Sequence, residues 1–213
     1  MVTGKSRPLG LQEQFGRIDI YLFDQLWRGN IAPGMRVLDA GCGGGRNLLY
    51  LLREGYEVFG VDQSAEAVEY VRKVARELAP GLPPENFQVA AVERMPFPDG
   101  FADVVVCNSV LHFAASDAQF DGMVRELWRA LRPGGMLFCR LASTIGMEFE
   151  RVGGGSERVF RMPDGQAWYL VDEAMLMERT RQLGGSLVDP LKTTVVQGQR
   201  SMTTWVVRKG FVE

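Results

Sequence analysis

A single histidine and three cysteines are all that this 213-residue chain offers toward soft metal ligation or thiol chemistry. Cys42, Cys107 and Cys139 are odd in number and none stands at a CxxC spacing, which argues against both a disulfide framework and a zinc site. No metal is expected. A basic excess is missing too: 24 Lys and Arg face 26 Asp and Glu, a formal charge of −2, so nothing in the balance draws a phosphate backbone and nucleic acid is not an expected partner. No apolar run approaches the roughly 18 residues that a membrane span needs. The opening MVTGKSRPLG has no apolar leader core. The expectation is a cytoplasmic chain with no membrane partner.

What the chain does have is apolar content, 46% of its residues, enough for a substantial core in one domain over 1–213. From about residue 10 to 30, Phe15, Ile18, Leu22 and Leu26 recur at helical spacing, predicting a helical lid with a break near Gly16. MRVLDA then reads as a strand and NLLYLLREG as a helix. EVFGVD and the stripe Ala67, Val71, Val74, Ala75 and Leu78 behind Ser64 repeat the unit. FQVAAV and ADVVVCN give two more strands, followed by a helix over about 117–131 and the strand GGMLFCRLA. Continuous apolar strands alternating with amphipathic helices have no polar face to give to water, so the class is α/β, a doubly wound, Rossmann-like, mostly parallel sheet. The stretch from about 144 to 170 breaks the rhythm with Gly153, Gly154, Gly155 and Pro163 and reads as an inserted cap. A helix over about 172–183 and an antiparallel hairpin at the sheet edge close the chain.

The cluster VLDAGCGGGRN, directly after the first strand, is the most informative stretch. In a doubly wound sheet, ligands bind beyond the carboxyl ends of the strands, beside the first βα turn. Gly41 suits a sharp exit from the strand, and Gly43 leaves main chain bare against a ligand. Dinucleotide loops read GxGxxG, whereas here the glycines at 41, 43 and 45 give GxGxG and Arg46 takes the last glycine's place. Asp39 would repel a diphosphate but suits a ligand with an ammonium and a sulfonium, as in S-adenosylmethionine. Asp62, 19 residues after Gly43, stands near the offset at which an acid meets an adenosine ribose; alone it could as well cap the helix beginning near Ser64, and the Gly43 spacing favours the ribose.

VLDAGCGGGRN, VFGVDQS, VAAVERMPFPDGFADVVVCNSVLHF and LRPGGMLFCRLAS, in this order, resemble the successive motifs of class I S-adenosylmethionine-dependent methyltransferases over about residues 30–145. Within that superfamily the chain is most similar to small-molecule enzymes of the ubiquinone-biosynthesis and tellurite-resistance type. The resemblance implies a seven-stranded sheet whose final strand runs antiparallel. It also implies that Ala40, Gly41 and Gly43 meet the methionyl part, with Asp39 and Arg46 beside them. Asp62 and Gln63 would meet the ribose and adenine edge, Val92 and Glu93 the adenine, and Asn108 the methionyl amine. Many relatives carry Asp where this chain has Ala91, and Glu93 is the candidate replacement.

The acceptor side is less determined. Methyl transfer is an in-line displacement that needs alignment and a tolerant electrostatic environment. If the acceptor must lose a proton, His112, just after the fourth strand, is the candidate general base; the alternative is a hydrogen-bonded wall residue. Arg140 suits an anionic acceptor or a core-edge position equally. Tyr21, on the aromatic N-terminal segment, and Trp168, in the insert, are candidate acceptor-pocket walls with plain packing as the alternative. The expected partner is a small-molecule acceptor. Rival readings are a cofactor-binding protein without chemistry and a nicotinamide-dependent oxidoreductase.

Overall fold

The computed structural model describes residues 9–151 and 157–211. The N-terminal segment forms two helices, α1 (Leu11–Phe15) and α2 (Ile20–Trp27), broken at Gly16, whose φ is 63°. Asp19 caps α2, its carboxylate accepting from the main-chain N–H of Tyr21 and Leu22. Next come β1 (Arg36–Ala40), α3 (Leu49–Arg53), β2 (Glu57–Asp62), α4 (Ala65–Leu78), β3 (Phe87–Val89), β4 (Ala102–Asn108), α5 (Asp117–Ala130) and β5 (Leu131–Ala142). Each longer helix starts on a side-chain cap: Ser64 accepts from Ala67 N at 3.2 Å and Ser116 from Gln119 N at 3.2 Å.

Period-two alternation explains the sheet. Along β4, Val104 and Val106 enter one apolar layer while Val105 and Cys107 enter the other. The first layer is completed by Leu51 and Leu52 of α3 and by Val68, Val71 and Ala75 of α4. The second takes Phe120, Val124 and Leu127 of α5. A strand covered on both faces needs no polar side, hence the unbroken apolar run in ADVVVCN. β3, β2, β1, β4 and β5 lie side by side in that order, all parallel.

The insert folds into a second, antiparallel sheet of three short strands, β6 (Glu150–Arg151), β7 (Val159–Arg161) and β8 (Ala167–Tyr169), whose Phe160 and Met162, with Leu170, pack in a small cluster with Ala142 of β5 and Met202. Gly153, Gly154 and Gly155, on which the insert was first recognised, lie outside the described residues. Helix α6 (Glu173–Gln182) follows, capped by Asp172, which accepts from Met175 N at 2.7 Å.

Among the described residues the sheet has eight strands where seven were expected. β9 (Gly185–Leu187) and β10 (Lys192–Val196) both pair with β11 (Arg200–Lys209), so one edge strand is split in two around Asp189 and Pro190. Proline has no N–H for the ladder. Asp189 turns inward instead, accepting from Gln25 Nε2 at 2.8 Å and pairing with Arg28 of the N-terminal segment at 2.5 Å. β11 itself is inserted between β10 and β5 and runs antiparallel to β5. The other departure is at β3, which stops at Val89 instead of running through Val92. Ala90 N donates to Asp62 O at 3.0 Å, and the chain then leaves the sheet across its carboxyl end.

Candidate functional site

The carboxyl ends of β1, β2, β3 and β4 converge on a cleft of about 250 Å³. Gly41 of the first turn, Asp62 and Gln63 after β2, the Ala90–Glu93 stretch and Asn108 to Val110 form its walls, with Phe113, Gln119 and Met123 closing one side. The loop geometry follows from its glycines. Gly41 has φ 82°, and a Cβ there would stand 2.3 Å from Val110 Cγ2. Gly43 has φ 49°, yet a Cβ would meet nothing within 4 Å. Main chain is therefore bare at Gly43, facing open space.

Asp62 has two duties in the fold. Its Oδ2 accepts from Gly43 N at 2.8 Å and its Oδ1 from Ser64 N at 2.9 Å, so one carboxylate braces the glycine loop and the start of α4 together. Each oxygen keeps a second lone pair for a ligand hydroxyl. Glu93 Oε1 accepts from Gln119 Nε2 at 2.6 Å, which joins the stretch after β3 to α5 across the cleft.

Of the ten cofactor candidates, Gly41, Asp62, Gln63, Val92, Glu93 and Asn108 line this cleft, as does Ala91. Gly43 and Arg46 are joined to it through Asp62 and Asn108. Ala40 is fully buried in the sheet. Asp39 is 2% exposed, and burial pushes its carboxyl up to about 7, with nearby Arg46 pulling the other way. Asn108 Oδ1 accepts from Arg46 Nη2 at 2.8 Å and from Ser109 Oγ at 2.9 Å, and its buried Nδ2 has no partner among the described residues.

The acceptor-side candidates separate into two groups. His112 is 3% exposed, its ring stacked on Trp168 at 4.5 Å and packed on Phe113 at 4.5 Å. Burial holds its pKa down to about 4, so the imidazole is neutral. Arg140 and Tyr21 lie together elsewhere. Arg140 Nη1 donates to Asp19 Oδ2 at 2.6 Å, its guanidinium sits 5.0 Å from the Tyr21 ring centre, and Tyr21 Oη shares a 2.8 Å hydrogen bond with Thr194. The charge of Arg140 is thus matched by a buried carboxylate.

Ser109, Val110, Phe113, Gln119 and Met123 were not foreseen as cleft residues. Ser109 adopts φ 65°, a conformation that no sequence pattern flags for serine. Phe113, 59% exposed beside a buried histidine, carried the one readable signal, a large apolar side chain placed after a strand end. Among the described residues no group of three or more His, Cys, Asp or Glu could hold a metal, and no helix is long and apolar enough to cross a membrane.

Residues 38–139 match the family model described as a methyltransferase domain. The ubiquinone biosynthesis O-methyltransferase of Escherichia coli is 32% identical over 129 residues, 61% of this chain and 52% of that protein. The match spans between about a quarter and about half of the length of the curated relatives. Among solved structures, the 4+2 cyclase SpnF aligns with a TM-score of 0.70 at 19% identity, covering 90% of this chain and 81% of that one. The magnesium protoporphyrin IX methyltransferase of Synechocystis, crystallised with S-adenosylmethionine, aligns at 0.66 with 19% identity over 97% of this chain and 87% of that one. At such identities the structural matches speak to the fold.

Proposed function

We propose that this protein is a class I S-adenosylmethionine-dependent methyltransferase that moves the methyl group of S-adenosylmethionine to a small-molecule acceptor, releasing S-adenosylhomocysteine; the methyltransferase-domain match over residues 38–139 supports the reading. The observation that carries the reading is the bare main chain at Gly43, braced by the Asp62 carboxylate, at the edge of a cleft that continues to Val92 and Glu93. This arrangement suits an adenosine with a thioether tail. Ribose hydroxyls would meet the unused lone pairs of Asp62, adenine would lie against Val92 and Phe113, and the tail would run toward Gly41 and Asn108.

The sulfonium of the bound cofactor supplies an electrophilic methyl group; the chain's task is alignment and the exclusion of water. Asp39 places a titrating carboxyl beneath the glycine loop, favouring a positively charged tail once it is ionised. His112 is a neutral wall: a group with a pKa near 4 is a weak proton acceptor at neutral pH, and stacking on Trp168 fixes its ring. Acceptors that are already nucleophilic, such as thiolates, carboxylates or unprotonated amines, fit this site better than neutral hydroxyls.

The deciding experiment combines thermal melting with S-adenosylhomocysteine and an acceptor screen scored by its release. A raised melting temperature with release on at least one acceptor is expected. Stabilisation without release on any acceptor would favour a binding protein, and stabilisation by a nicotinamide dinucleotide instead would overturn the reading.

A further inference from the structure

Strand pairing lines up a row of polar residues beyond the cleft. Asn108 of β4 lies opposite Arg140 of β5, Arg140 opposite Thr204 of β11, and Thr204 opposite Lys192 of β10, so the four share one face of the sheet. Helix α2 and its cap roof this row. Asp19 Oδ2 accepts from Arg140 Nη1 at 2.6 Å, Tyr21 Oη shares a hydrogen bond with Thr194, and Asp24 accepts from Lys192 Nζ at 3.2 Å. Beneath the roof two neighbouring groups are left over: Arg140 Nε and Thr204 Oγ1 are closed off from water and have no partner among the described residues. Thr204 as a whole is 3% exposed. A buried polar atom without a partner costs about 1–3 kcal/mol unless a ligand completes it. Packing alone does not call for the hydroxyl, since Val206, two residues along the same strand face, is buried among Val104, Val106 and Phe138.

The chemistry of the pair selects its ligand. A guanidinium Nε can only donate and a hydroxyl can donate beside it, so together they suit the two oxygens of one carboxylate. Two guanidiniums reach the row, Arg140 and, through Asn108 Oδ1, Arg46. Against them stand the Asp19 carboxylate and Asp39, whose carboxyl burial pushes up to about 7, so below that pH the row carries spare positive charge. We propose that Arg140 Nε and Thr204 Oγ1 anchor a carboxylate of the methyl acceptor. Asn108 lines the cleft, and Arg140 and Thr204 lie one and two strands further on. The acceptor is therefore a small molecule whose carboxylate stands about 5–10 Å from the atom that is methylated beside Asn108, the width of one to two strand spacings. The assignment rests on the methyltransferase reading above. Its carboxylate is the handle and not the group that reacts, and because both anchoring atoms are shut off from water, α2 must shift for the acceptor to enter.

Arginine side-chain NMR spectra of the isotope-labelled full chain, saturated with S-adenosylhomocysteine, test the assignment. The Arg140 Nε–H signal is the one lost in Arg140→Lys, which keeps a cation for Asp19. The probes are benzoate, phenylacetate and hexanoate, each beside the primary alcohol that replaces its carboxylate. A saturable shift of that signal with at least one carboxylate, and none with its alcohol, is expected. Thr204→Val removes the hydroxyl and keeps the shape. It should melt no lower than the parent, because the hydroxyl has no hydrogen bond to lose, and it should bind S-adenosylhomocysteine as the parent does. The carboxylate, however, should bind it about tenfold to a hundredfold more weakly, the range of one hydrogen bond to a charged group. No shift with any of the three carboxylates, an equal shift with the alcohols, or undiminished carboxylate binding by Thr204→Val would overturn the anchor while leaving the cofactor reading standing. So would a loss of S-adenosylhomocysteine affinity in Thr204→Val, which would assign the pair to the cofactor instead. Failure of the unaltered chain to bind S-adenosylhomocysteine would overturn both.

Discussion

The carboxylate of Asp62 accepts a 2.8 Å hydrogen bond from the main-chain N–H of Gly43, 19 residues earlier, and so ties the end of β2 to the glycine loop that follows β1. Sequence spacing pointed to Asp62 as a ribose contact; the structure adds that the same group shapes the loop. Substitution should therefore reveal two effects. Asp62→Ala is expected to lower stability by about 1–3 kcal/mol through the two N–H groups it leaves without partners. It should also weaken S-adenosylhomocysteine more than that loss alone explains. Urea unfolding and titration of the same variant separate the two. A variant that loses stability yet binds as tightly as the parent would restrict Asp62 to the brace.

Asp39 predicts a pH dependence with a definite sign. Its carboxyl titrates near 7 in the folded chain against an ordinary value of 3.8, because burial disfavours the anion. Between those values the folded chain holds a proton that the unfolded chain has lost, so this group makes stability fall as pH rises from 3.8 toward 7. A cationic ligand reverses the preference by favouring the anion. Binding of S-adenosylmethionine should then tighten about tenfold between pH 6 and 8, following the ionised fraction. Asp39→Asn should flatten that profile and raise the unliganded melting temperature at pH 8. If the profile keeps its slope in the variant, another group is responsible.

His112 acts in the opposite direction. Its folded pKa of about 4 lies below the ordinary 6.5, so the unfolded chain binds the extra proton and stability is lost as pH falls through that interval. His112→Gln should remove this acid sensitivity. Turnover should change by less than about tenfold, since a general base contributes on the order of a hundredfold or more. A larger drop, with S-adenosylhomocysteine affinity intact, would return His112 to the proton-transfer role that its place after β4 first raised.

How much of this was legible beforehand depends on how local the physics is. Val104 and Val106 against Val105 and Cys107 declare a two-sided strand within seven residues, and Ser64, Ser116 and Asp172 mark helix starts within three. Those elements were read close to their true bounds. The glycine loop and Asp62 were legible because the βα turn fixes what it can contact. Side-chain pairing across long separations was not. Nothing around Arg140 announces Asp19, 121 residues earlier, and nothing in the sequence says that Asn108 spends its oxygen on Arg46. The split edge strand escaped for the same reason, since Asp189 turns inward to reach Gln25 and Arg28 on the N-terminal segment.

The pair formed by Arg140 and Asp19 holds that segment against the sheet. The Asp19 side chain is 2% exposed and already caps α2, so removing its cation leaves a buried charge with two N–H donors but no counter-ion. Arg140→Met should cost about 3–5 kcal/mol, the range for a broken buried pair. Arg140→Met combined with Asp19→Asn should recover most of it, because asparagine still caps the helix. Urea midpoints of the two single variants and the double variant give the coupling directly. Additive losses would mean that the contact contributes little to docking.

Two glycines two residues apart should respond to the same substitution in different ways. At Gly41 an alanine would combine a φ of 82° with a Cβ 2.3 Å from Val110 Cγ2, so strain and collision fall on the fold itself. Gly41→Ala should be destabilised by more than about 2 kcal/mol. At Gly43 the φ of 49° lies in the left-handed region that alanine can enter for about 1–2 kcal/mol, and no atom within 4 Å stands in the way of the methyl group. Gly43→Ala should therefore melt within several degrees of the parent. Its added carbon, however, would stand where the cofactor reading puts the ligand, and S-adenosylhomocysteine should lose most of its affinity. Melting curves taken with and without that nucleoside distinguish the cases. If Gly43→Ala binds it normally, the open space beside the loop is not where the nucleoside lies, and the cleft must hold its ligand in another orientation.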